Sequence, residues 1–145
     1  MIDLDAPLRP TDLELYERIL TRLREALDAH VREPENLFIL DSVIKRFELT
    51  FELSNRNLNR FLLDAMPVPP EIRTMSYQSI IRLGDEMGML KSGWPHWKRY
   101  RNARNRTVHE YYEESAREVA KDAAAFVEEA AYLLEQLKTR VIGNG

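Results

Sequence analysis

Residues 35–70 read ENLFILDSVIKRFELTFELSNRNLNRFLLDAMPVPP. Apolar side chains recur at Leu37, Leu40, Ile44, Phe47, Phe51, Leu58, Phe61 and Leu62, in steps of three, four and seven. That spacing places them on one face of an α-helix, whereas a half-buried strand would alternate every second residue. The run predicts one helix from about Glu35 to about Ala65. "MPVPP" ends it, because proline lacks the amide and biases the residue before it away from the helical region. Glu48 and Glu52, an i, i+4 acidic pair, lie between the apolar positions and face either solvent or the arginines of a predicted fourth helix.

The same period appears on both sides. Upstream, after Pro10, Thr11 is positioned to cap a helix carrying Leu13, Leu15, Tyr16, Ile19, Leu20, Leu23, Ala26 and Leu27, ending near Val31 ahead of Pro34. Downstream, a third helix is predicted over residues 72–88, with Tyr77, Ile80, Ile81 and Met87, before "GMLKSGW" breaks it. A fourth starts at Trp94-Pro95, where proline suits a first turn. A fifth runs from about Ser115 to Val141, either continuous with the fourth or separated from it at 113–115. Few glycines and no strand-like alternation leave one class: an all-α, up-and-down antiparallel bundle of about five helices. The expected domain is residues 11–141, with residues 1–10 a flexible arm and 142–145 a frayed tail.

The bulk numbers narrow the chemistry. The chain has 145 residues and no cysteine, which removes disulfides, thiolate metal sites and cysteine nucleophiles. The three histidines share no metal-ligand spacing, and there is no glycine-rich phosphate loop, so no metal and no cofactor are expected. "MIDLDAPLRP" lacks a signal-peptide apolar segment, and no apolar run approaches the roughly 18 residues of a membrane span. A cytoplasmic protein with no membrane association is the expectation. The net charge of −3 hides an uneven distribution. Lys98, Arg99, Arg101, Arg104 and Arg106 form a basic run with no acid among them, and an acidic stretch follows from Glu110 to Glu135.

That basic run belongs to "RYRNARNRTVHEYYEE", residues 99–114, where hydrogen-bonding side chains are unusually dense. On a helix Arg101, Asn105 and His109 share an edge at i, i+4, i+8, with Asn102 on the same side. Arg104 lies about 140° from His109 at about 100° per residue, but its long side chain can bend toward the same edge. A solvated face with surface ion pairs is one reading, and Arg106–Glu110 is such a pair. Two mid-helix asparagines, poor helix formers, and a histidine able to change charge near neutral pH favour a site. Such a set suits phosphodiester cleavage without metal. Histidine moves the protons of a ribose 2′-hydroxyl and a leaving oxygen, and arginine holds the phosphate and its developing charge. The internal 2′-hydroxyl nucleophile makes RNA the substrate. Such cleavage needs two acid–base groups, which a symmetric dimer would supply. His30, at a helix C-terminus, and His96, between two tryptophans, read as structural.

"RNRTVHEY", residues 104–111, is Arg-x4-His-x-Tyr, and it resembles the signature of HEPN proteins, small helical bundles of prokaryotic toxin–antitoxin and defence systems. "DSVIKRFELTFEL", residues 41–53, resembles the second-helix signature of the HEPN subgroup called the nucleotidyltransferase substrate-binding protein family. With the helix pattern, the resemblance covers about residues 12–140. It departs at Arg106, where members often carry an aliphatic residue, and at Ser54-Asn55, where they often carry tryptophan. The resemblance implies a homodimeric, metal-independent endoribonuclease toxin. Arg104, His109 and Asn105 would be its catalytic set, with Arg101, Asn102 and Arg106 on the RNA phosphates. It also implies a partner, a minimal nucleotidyltransferase antitoxin, which would neutralise the toxin by adenylylating Tyr111, with Tyr112 beside it as a second candidate hydroxyl. The alternative is a non-catalytic nucleotide- or RNA-binding subunit working with that enzyme, and a third is a helical adaptor with a charged dimer seam.

Overall fold

A computed structural model describes residues 7–66, 74–109 (at 109 the backbone alone) and 113–141 of the chain. Among them lie five helices: α1 (Pro10–Arg32), α2 (Leu37–Ala65), α3 (Tyr77–Glu86), α4 (Trp94–His109) and α5 (Glu113–Val141). The chain is an all-α antiparallel bundle, as the spacing required. α1, α2 and α5 pack on one another, α4 lies against α5 and α2, and α3 rests on α4 and α2.

The caps explain the boundaries. α1 starts at Pro10, whose fixed φ suits a first turn. The Asp12 carboxylate reaches back to accept the Arg9 backbone N–H at 2.9 Å. Thr11 therefore lies inside the helix and is not the cap, because proline moves the start two residues earlier, with Arg9 at the cap position. Asn36 caps α2, its Oδ1 accepting the N–H groups of Phe38 and Ile39. Ser76 caps α3 by accepting the Ser79 N–H at 3.2 Å. This makes the third helix shorter than the expected 72–88, and of that range residues 72 and 73 lie outside the described residues. Beyond α3, Gly88 takes φ +76°, which only glycine adopts without strain.

The fourth and fifth helices are separate and antiparallel. Arg99 Nε lies 2.7 Å from Asp122 Oδ1. Twenty-three residues of continuous helix would hold those positions about 35 Å apart at about 1.5 Å per residue.

Phe126 of α5 sits at the centre of the core. Phe47, Phe51, Trp97 and Tyr100 surround it with ring centroids 5.0 to 5.7 Å away. The α2 stripe is buried from Leu40 to Leu62 apart from half-buried Phe61, whereas Leu37, in the first turn and past the edge of the core, is half exposed. Polar residues share this face. Ser54 donates to the Tyr16 hydroxyl, which donates to the Ala130 carbonyl, each at 2.8 Å. Arg60, buried, bonds the Pro7 carbonyl at 2.9 Å and pairs with Asp12 at 3.1 Å. With Leu8 also buried, residues 7–9 are tied to the bundle and are not part of a loose arm; residues 1–6 and 142–145, the rest of the expected arm and tail, lie outside the described residues.

Candidate functional site

α4 divides into two faces. Trp97, Tyr100 and Ala103, at i, i+3 and i+6, are buried against Phe126 and its neighbours. Lys98, Arg99, Arg101, Asn102, Asn105 and Val108 are exposed, and Arg104 is half-buried at the boundary. Helix geometry carries the expected edge through to its last residue: Arg101, Asn105 and His109 occupy successive turns of one continuous helix. The His109 side chain, Glu110, Tyr111 and Tyr112 lie outside the described residues, so the Arg106–Glu110 pair and the modification site do as well.

The basic side chains separate by what they touch. Arg99 is bound to Asp122 across the α4–α5 interface, which raises its pKa further and leaves it a structural cation. Arg106, expected on RNA, is half-buried, and its guanidinium donates to Ser115 Oγ on α5 at 3.1 Å. Arg101 lies with its guanidinium carbon 5.0 Å from the centre of the Tyr77 ring. Arg104 has no side-chain hydrogen-bond partner among the described residues, and neither do Asn102 and Asn105. Its backbone is fixed, its carbonyl accepting from Thr107 Oγ1 at 2.6 Å. Arg104, Asn105 and Asn102, like exposed Lys98 earlier in the helix, are therefore polar groups of α4 left free, among the described residues, to receive an anion. Glu48 is half-buried and Glu52 exposed, and among the described residues neither pairs with an arginine of α4.

Two groups escaped sequence reasoning. The Tyr77 hydroxyl donates to Asn55 Oδ1 at 2.9 Å, joining α3 to α2 beneath Arg101. Burial raises the Tyr77 pKa, outweighing the bond to Asn55 and the nearby Arg101 charge, so the hydroxyl stays a donor at neutral pH. The one signal in the sequence was the departure at Ser54-Asn55. Glu129, within the acidic stretch from Glu110 to Glu135, is buried, and its Oε2 accepts the N–H groups of Lys91 and Ser92 at 2.7 and 3.2 Å. An open groove of about 700 Å³ between α1 and α5, lined by Leu27, Val31, Ala120 and Val127 among others, includes no residue of α4. The groove also carries Arg24, His30, Arg117 and Lys121, but Arg117 is tied to the Pro34 carbonyl and Glu113, and the candidate site is the α4 edge, which carries the Arg104-x4-His109 motif. Among the described residues no three His, Asp or Glu side chains come together to hold a metal ion, and no helix is long and apolar enough to cross a membrane.

Comparison with known proteins gives concordant results. The sequence matches the family described as nucleotidyltransferase substrate binding protein like over residues 11–139. It is 30% identical over 102 residues to the probable ribonuclease HepT of Haemophilus influenzae, which spans 70% of this chain and 69% of that protein. It is also similar, with a TM-score of 0.80 at 24% identity, to a solved Haemophilus influenzae chain described as revealing the fold of a substrate binding domain of a nucleotidyltransferase. That likeness covers 87% of this chain and 98% of the other, and it establishes the fold. The family match takes in both the α2 segment and the α4 motif, and the chain belongs to the nucleotidyltransferase substrate binding protein like family.

Proposed function

We propose that this protein is a HEPN-type toxin, an endoribonuclease that cleaves RNA without metal at a site built from two copies of α4. The observation that carries the reading is Arg104 and Asn105, without side-chain partners among the described residues, on the helix that ends at His109. The relative described as a probable ribonuclease supports it. His109 of one copy takes the proton of a ribose 2′-hydroxyl. The 2′-oxygen bonds to phosphorus, the bond from phosphorus to the 5′-oxygen breaks, and His109 of the second copy protonates the leaving oxygen. Arg104 holds the phosphate oxygens as their charge grows, and Asn105 supports it. The products carry a 2′,3′-cyclic phosphate and a 5′-hydroxyl.

A minimal nucleotidyltransferase is the proposed antitoxin, in keeping with the family's description. The Tyr111 oxygen would attack the α-phosphorus of ATP and release pyrophosphate. An anionic nucleotide two residues from His109 would fill the cleft and repel RNA phosphate.

The test is cleavage of RNA by the purified, verified dimer with chelator present. His109→Ala should lower the rate by about 10²- to 10⁴-fold. After co-expression with the nucleotidyltransferase, intact mass should rise by AMP units that vanish in Tyr111→Phe; an increase surviving that change points to Tyr112. A wild-type dimer that neither slows growth nor cuts RNA sinks the nuclease reading. The second reading, a non-catalytic subunit that presents a nucleotide or RNA to the enzyme, draws on the description of the solved neighbour. On that reading His109→Ala leaves growth unchanged while the complex persists.

A further inference from the structure

The exposed edge of α4 has a built support at one position. Arg101 is exposed, and its guanidinium lies over the Tyr77 ring at 5.0 Å. That ring is fixed from two sides. Its hydroxyl donates to Asn55 Oδ1, and Asn55 Nδ2 donates to the Phe51 carbonyl at 3.0 Å, which sets the orientation of the amide. Trp94 meets the Tyr77 ring edge-on, with centroids 5.8 Å apart and planes 68° apart. Three helices thus hold the aromatic ring that supports one guanidinium.

A cation needed only for its charge requires no such plane; a lysine in solvent attracts phosphate as well. Seating an exposed arginine against a fixed aromatic ring has a use when the ligand is itself planar. With Tyr77 on one side, the guanidinium can offer its open side to a nucleobase, as aromatic and arginine platforms do for unpaired bases. Asn105 lies one turn along the same edge and is exposed, with an amide donor and acceptor suited to a base edge. Arg104, three residues on, is the phosphate ligand of the proposed reaction.

We propose that Arg101, backed by Tyr77 and Asn55, is a stacking subsite for one unpaired nucleobase of the RNA, beside the phosphate that Arg104 holds. This rests on the RNA reading and adds what that reading lacks, a reason for the protein to prefer single-stranded RNA.

The test uses two uncleavable probes of equal length, a 2′-O-methyl oligoadenylate and its abasic counterpart, with Arg101→Lys, which keeps the charge and removes the plane. Affinity for the oligoadenylate should fall about 5- to 30-fold, the worth of one stacked base, while affinity for the abasic probe changes by less than about twofold. Tyr77→Leu, confirmed as folded by its thermal melt, should show the same base-dependent loss. Equal losses on both probes, or none, overturn the subsite, since a mere structural staple between α3 and α4 would not distinguish them. A wild-type protein that binds both probes equally well overturns the subsite alone. One that binds neither overturns the RNA reading with it.

Discussion

Arg104 sits at about 60° from Arg101 around α4, where the buried face meets the exposed one. That boundary position holds its backbone while leaving its guanidinium available. Arg106, two residues on, points to α5 and is tied to Ser115. Similar side chains in one short motif thus have different uses, and the helical angle separates them. Asp12 shows the same dependence on surroundings. Burial pushes its carboxyl up, but the Arg9 backbone N–H and the Arg60 and Arg9 side chains outweigh that, holding it below the ordinary 3.8. A carboxyl with a lowered folded-state pKa contributes stability above the unfolded value, and that contribution is lost as pH falls through the folded value. Asp12→Asn should therefore cost about 1–3 kcal/mol at neutral pH. The gap from wild type should close as urea melts are taken from pH ~5 downward past the ordinary carboxyl value. A gap that stays constant across that range would show that the pairing with Arg60 is not the source.

At the scale of elements, the connection from α3 to α4 decides where the motif helix begins. Glu129 of α5 binds the backbone of Lys91 and Ser92 just before Trp94. Gly88 supplies the left-handed turn after α3. Glu129→Ala leaves two backbone donors without their acceptor and should cost about 1–3 kcal/mol. Amide exchange at Lys91 and Ser92 should quicken more than exchange in the middle of α2; uniform quickening would mean that Glu129 serves global stability instead. Caps likewise moved the predicted boundaries, by two residues at the start of α1 and by five at the start of α3. Pro10 displaced Thr11, and Ser76 shortened α3, because a cap depends on which local backbone geometry wins.

The whole molecule is organised around Phe126, which brings aromatic rings of α2 and α4 onto α5. Truncation to alanine should cost about 3–5 kcal/mol in denaturant melts. A loss under about 1 kcal/mol would place the centre of the core elsewhere. Because Trp97 and Tyr100 anchor the buried face of α4 on this residue, a folded Phe126→Ala variant should also loosen the motif helix.

The amino-acid sequence by itself determined that the chain is helical, roughly where each helix lies, and that Arg101, Asn105 and His109 share an edge. Each of these follows from a 3.6-residue period acting within one segment. Only the tertiary structure decided that Leu37 stands outside the core, that Glu129 is buried, that Arg106 is turned to α5, and that Tyr77 and Asn55 lie beneath Arg101. Those outcomes depend on contacts between segments far apart in the chain, and no local period encodes which helix face will meet which partner.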